Sequence, residues 1–211
     1  TNRSEQAARV ASDLSLAQMT LDQWRDAPIQ VVSRTPESFS TWRSQMREQF
    51  DRYISDVLDN SKDPAQQAEA KVIRADFKWQ TAQYGDPPTA ATQPSFQMKE
   101  TPADLLAGAE KDYNDVLAQQ ATLPPKLVAR ARLGLAAIAE DRNDWPAARA
   151  QYDAIVNDAR IPTSLKDVAK QRLTVLPDIE KPMVLGQPKQ PPTAAPLGPA
   201  FNPPFPITSG P

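Results

Sequence analysis

The chain has 211 residues, of which 40% are hydrophobic and 24% charged, with a formal net charge of -2. Such a composition belongs to a folded soluble protein, and its near balance of charge gives no single-sign field to attract a nucleic-acid backbone or an anionic membrane surface. There is no cysteine and no histidine, so the sequence offers no disulfide, no thiolate or imidazole metal ligand, no thiol nucleophile and not the usual general base at neutral pH.

Apolar residues recur at helical spacing from near the start, and strict alternation is missing, so the expected class is all-α. The first helix runs from about Ser4 to Asp26, with Val10, Leu14, Ala17, Leu21 and Trp24 on one narrow stripe. That stripe fits a stalk, a helix packed in a bundle, or a helix laid on a partner. Thr35 and Pro36 announce a second helix with the stripe Phe39, Trp42, Met46, Phe50, Tyr53 and Val57. Arg43, Arg47 and Arg52 alternate there with Glu48 and Asp51, as on a mixed, solvated face. Asp63-Pro64-Ala65-Gln66 opens a third helix through Ala68, Val72, Ala75, Trp79 and Ala82, with Gln66 placed to answer the cap.

Residues 85–101 are rich in proline and lack periodicity, as in a long loop or a domain seam. Thr101-Pro102 starts a fourth helix with Leu105, Ala109, Tyr113 and Val116, and Pro124-Pro125 precedes a fifth with Val128, Ala131, Leu135 and Ile138. After a short break at Asn143-Asp144, a sixth helix carries Trp145, Ala148, Tyr152, Ile155 and Ala159. A seventh, capped by Thr163 or Ser164, carries Leu165, Val168, Ala169, Leu173 and Leu176. Short joins between most helices favour antiparallel neighbours. The expected fold is thus a set of antiparallel helical hairpins stacked as an array of about seven helices, followed by an irregular proline-rich C-terminal tail.

The stretch from Val128 to Pro162 resembles the tetratricopeptide repeat, a helix-turn-helix unit of about 34 residues. Leu135 and Ala136 fall at the leucine and small positions of its first helix. Asn143-Asp144-Trp145 takes the turn and the aromatic that opens the second, and Ala148, Tyr152 and Ile155 form the small, aromatic and apolar ladder. The resemblance implies that these residues are packing residues: Ala136 and Ala148 let two backbones approach, while Leu135 and Tyr152 fill the seam between hairpins. Arg132 and Ala139 depart from the pattern, standing where the repeat often has aromatics. Ala109, Tyr113 and Val116 reproduce the ladder in the fourth helix, whereas helices two and three fit either a diverged repeat or a plain hairpin. The seventh helix looks like the solvent-facing cap of such arrays, with Lys166, Lys170 and Arg172 outward.

The arrangement also looks like that of bacterial tetratricopeptide proteins held outside the cytoplasm by an N-terminal membrane helix. The resemblance implies an extracytoplasmic, periplasmic location, with a cytoplasmic one as the alternative. No run here approaches the roughly 20 apolar residues of a membrane span. The sequence opens on Thr1 and not on methionine, which leaves room for an upstream anchor or signal.

After Lys181 the prolines crowd together, excluding helix and disfavouring strand, so polyproline II or coil is expected. Phe201 and Phe205 alternate with prolines, and an inert tether does not need such apolar anchors. They are candidate partner-binding residues beside Trp24, with the tail lying along a groove of its own domain or of another protein.

The organisation expected is therefore residues 1–84 as a stalk-like helix plus a hairpin, 85–101 as a loop, 102–180 as repeat and cap, and 181–211 as the tail. The function expected is a non-catalytic scaffold, with protein partners in a larger envelope or membrane-associated complex, no nucleic acid and no cofactor. A periplasmic adaptor that binds peptides transiently is the alternative. A carboxylate-dependent helical hydrolase would need pairs such as Glu140 with Asp141 or Asp112 with Asp115, which read as solvated faces.

Overall fold

The computed structural model describes residues 2–26, 36–84 and 100–181. Thr35, the side chain of Phe39, most of the expected loop and the tail with Phe201 and Phe205 lie outside them. Seven α-helices occupy the described residues, without a strand: α1 (Asn2–Arg25), α2 (Pro36–Asn60), α3 (Pro64–Tyr84), α4 (Pro102–Leu117), α5 (Pro125–Asp141), α6 (Trp145–Asn157) and α7 (Thr163–Ile179). Residues Thr1–Glu180 make one compact unit, so the helices on either side of the expected seam at 85–101 share one body.

Local chemistry sets several boundaries. Thr101 begins α4 with a full capping box: its hydroxyl accepts from the Asp104 amide at 3.1 Å, and the Asp104 carboxylate accepts from the Thr101 amide at 3.0 Å. Asp63 caps α3 by accepting from the Ala65 amide at 2.9 Å. Gln66 does not answer that cap, because its side-chain oxygen is taken by the Ser61 hydroxyl at 2.7 Å. At α7 neither Thr163 nor Ser164 is the cap; Pro162 holds that position without a side-chain bond. Helix α6 stops at Asn157, earlier than the expected stripe through Ala159, where Asp158 turns to accept from the Arg160 amide and guanidinium.

The α5–α6 turn ends one helix and starts the next within three residues, Arg142 to Asp144. Asn143 takes a left-handed conformation with φ 57. Its amide donates to the Glu140 carbonyl at 2.9 Å, and the Asp144 amide donates to that of Ala139 at 2.8 Å, which is the Schellman arrangement. The Asp144 carboxylate then caps α6 by accepting from the Ala147 amide at 3.1 Å.

Three core clusters lie between the hairpins. Val10, Leu14, Ala17, Leu21 and Trp24 of α1 meet Met46, Phe50, Ile54 and Val57 of α2 and Ala70, Ile73 and Phe77 of α3. The opposite side of α3, with Ala68, Val72 and Ala75, packs with Ala109, Tyr113 and Val116 of α4 and with Val128, Ala131, Leu135 and Ile138 of α5. The other side of α5 adds Ala129, Ala136 and Ala139 to a third cluster with α6 and α7. A helix inside a stack thus needs two buried faces, and the expected single stripe on α3 omitted Ile73 and Phe77. In α2, Ile54 is buried with Phe50 and Val57, while Tyr53 of the expected stripe is only partly so.

The first helices of successive hairpins touch, α1 to α3, α3 to α5 and α5 to α7, whereas α2 to α4 and α4 to α6 make no comparable contact among the described residues. The stack is therefore tighter on the first-helix side, which becomes its inner side. Helix α1 is not a free stalk, since its whole apolar stripe is buried.

Candidate interaction surface

All but one of the packing residues expected of the repeat are buried. Ala136, Ala148 and Ile155 are fully enclosed and Tyr152 is 3% exposed, together with Ile161, Ala169 and Leu176. Trp145 is half-buried against the same cluster. Leu135 is buried on the other side of α5, beside Tyr113. Adjacent residues of one helix thus serve two seams.

The same polar device recurs at two successive hairpins. Tyr113 of α4 donates its hydroxyl to Asp76 of α3 at 2.5 Å, and Arg130 of α5 pairs with the other Asp76 oxygen at 2.8 Å. Tyr152 of α6 donates to Glu140 of α5 at 2.7 Å, and Arg172 of α7 pairs with Glu140 at 3.3 Å. In each, a carboxylate on the first helix receives the tyrosine of its own hairpin and an arginine from the next first helix. Burial pushes Asp76 above its ordinary range, and burial plus the facing carboxylate pushes both tyrosine hydroxyls well above theirs. Neither tyrosine ionises near neutral pH, so each remains a donor.

Carboxylates expected on solvated faces are partly structural. Asp112 is 2% exposed and is held by Arg74 at 2.6 Å and Lys78 at 3.0 Å. It lies three residues beyond Ala109, at the edge of the buried stripe, where only a paired charge is tolerated. Asp115 pairs with Lys71 and Lys111 on the surface, and Asp141 accepts from Trp79 at 2.6 Å and from Gln83. No group of three or more acidic residues placed to hold a metal occurs among the described residues.

Two aromatic and basic expectations change. Trp24 is not open to a partner: it is 3% exposed, lies 4.8 Å from the Phe77 ring, and is covered by the Arg43 guanidinium at 4.5 Å. Arg43 is accordingly buried and not on a solvated face. Trp24 closes the α1 stripe, where periodicity alone could not separate core from interface.

The exposed apolar residues concentrate on α7. Val168, Val175 and Ile179 are 46%, 36% and 44% exposed, so Val168 leaves the stripe expected to be core. Their spacing places them on one stripe with Arg172. Because Arg172 reaches Glu140 of α5, the stripe runs along the first-helix side of the stack. Lys170 is exposed as expected of a cap, while Lys166 is half-buried.

The class defined by this geometry is an all-helical stack of three hairpins closed by a single helix, with polar triads at its seams and an apolar stripe on its last helix. The chain matches no protein-family model, no curated protein and no solved structure.

Proposed function

We propose that the chain is a non-catalytic scaffold of the tetratricopeptide type, working as a subunit or assembly factor in a larger envelope or membrane-associated complex. The observation that carries this reading is the stripe of Val168, Val175 and Ile179 on α7. An isolated array needs a polar surface at its terminal helix, so an apolar stripe there suits a partner better than water. The proline-rich segment that follows α7 in sequence, with Phe201 and Phe205, supplies a second set of apolar anchors for a partner groove. The carboxylates that a hydrolase would recruit are committed to holding helices together, as Asp112 and Glu140 illustrate.

The test is co-isolation from the native source with the full chain, comparing wild type with Val175→Glu, Ile179→Glu and a deletion of residues 182–211. A scaffold subunit retains stoichiometric partners that at least one change removes, while the helical signal is unaltered. A stable monomer that instead captures peptides transiently favours the adaptor reading. Retention of every partner by all three variants overturns the assignment of these surfaces.

A further inference from the structure

The α1–α2 seam contains an arrangement that the scaffold reading does not use. A cleft there is lined by Arg9 and Asp13 of α1 and by Gln49, Arg52, Tyr53 and Asp56 of α2. Asp13 Oδ2 and Asp56 Oδ2 are both shut away from solvent, and neither has a hydrogen-bond partner among the described residues. The donors present are directed elsewhere. Arg9 and Asn60 both donate to Asp56 Oδ1, at 3.1 and 3.0 Å, and Arg9 approaches Asp13 no closer than 3.9 Å. The Arg9 side chain is 71% exposed, so water screens the one cation that addresses both acids.

We infer that Asp13 and Asp56 hold one proton between them, forming a carboxyl–carboxylate latch that fastens α1 to α2 and slackens when the proton leaves. Two ionised carboxylates that each bring a shielded, unpartnered oxygen to one cleft repel, whereas one shared proton would join them by a short, charge-assisted hydrogen bond. Burial and the Asp56 carboxylate, opposed by Arg9, hold Asp13 above its ordinary 3.8. The proton belongs to the pair and not to one residue. Arg52 and Tyr53 are the other charged or titratable groups lining the cleft, and no residue of α3 lines it. The folded state holds the proton on Asp13 more tightly than the unfolded chain does, so the latch is in place while that proton is bound and its contribution is lost as pH rises above 3.8 through the raised step.

Urea unfolding of the full chain, wild type beside Asp13→Asn, tests the latch from pH 3 to pH 8. The asparagine amide is a donor that no pH removes. The two proteins are expected to differ least at pH 3 and to diverge as pH rises, with the variant the more stable. The ratio of their unfolding constants should grow about tenfold for each unit by which the pair's upper step exceeds 3.8. A ratio that stays flat, or a wild type that gains on the variant toward neutral pH, overturns the latch. Carboxyl-carbon NMR titration of the wild-type chain reads the pair without a substitution. A step above the ordinary range is expected for Asp13, and an ordinary step there overturns the inference.

Discussion

The ring of Tyr113 lies so close to Gly134 that a β-carbon added to the glycine would fall 2.2 Å from the ring and 2.6 Å from its hydroxyl. Helix α5 therefore needs glycine there for lack of space, although glycine weakens a helix interior by up to about 1 kcal/mol relative to alanine. Tyr113 cannot swing aside without abandoning Asp76. Gly134→Ala is expected to destabilise the fold by about 1–3 kcal/mol, the cost of overpacking a closed core. Gly108→Ala on α4 is the control: its new β-carbon meets only the end of the Lys78 side chain, 3.1 Å away. That variant should remain within about 1 kcal/mol of wild type. Urea midpoints of both variants check the contrast.

Removing the hydroxyl of either seam tyrosine leaves a carboxylate short of a donor. Tyr113→Phe is expected to cost about 1–3 kcal/mol, because Tyr113 is 1% exposed and Asp76 keeps only Arg130 as a direct partner. Tyr152→Phe should cost less, since the Tyr152 hydroxyl is less deeply buried than that of Tyr113 and Glu140 keeps its bond to the half-exposed Arg172. Thermal unfolding of the two single variants measures the order, and equal losses would show that the triads do not differ in burial.

Asp112 and Asp115 are three residues apart on α4, yet their substitutions should behave differently. Asp112→Ala strands Arg74 and Lys78 beside the core and is expected to cost about 3–5 kcal/mol, reduced to the extent that both cations reach water. Asp115→Ala removes two pairs of a partly exposed carboxylate, one of them with the solvent-exposed Lys111, and should cost under about 1 kcal/mol. Denaturant titration at low and high salt separates them, because only the Asp115 effect should fade with salt.

The helices were legible in the sequence because proline and capping residues mark most of their starts, as at Thr101-Pro102 and Asp63-Pro64, and because 3.6-residue periodicity survives in each. What the single-stripe reading lost was the second buried face of α3, where Ile73 and Phe77 meet Phe50 and Trp24. Periodicity reports that a residue is apolar, not which neighbour covers it, and for that reason Trp24 passed for a partner-binding residue. The polar triads were invisible for a different reason. Asp76, Tyr113 and Arg130 are separated by 37 and 54 residues from first to second and first to third, and only the stacking of three helices brings them together. Gly134 carried no signal of its need, because a close approach leaves no pattern beyond the glycine itself.

The α5–α6 turn allows the backbone and capping contributions of two adjacent residues to be read apart. Asn143 sits at φ 57, where a β-carbon is strained and asparagine is better tolerated than most side chains. Asn143→Gly removes that strain at some entropic cost in the unfolded chain and should lie close to wild type, whereas Asn143→Ala keeps the strain without a compensating polar side chain and is expected to cost about 1 kcal/mol. Asp144→Ala leaves the Schellman bonds of α5 in place, since these use the backbone alone, but strips the Ala147 amide of its cap. Its expected cost is about 0.5–2 kcal/mol. The two losses should add in the double variant if the backbone turn and the side-chain cap act independently, because Asn143 ends one helix while Asp144 starts the next. A double variant appreciably more stable than that sum would mean that the left-handed residue holds Asp144 in its capping position, so that the Asn143 substitution alone already loosens the cap, and hydrogen exchange at the Ala147 amide in that single variant would locate the loss.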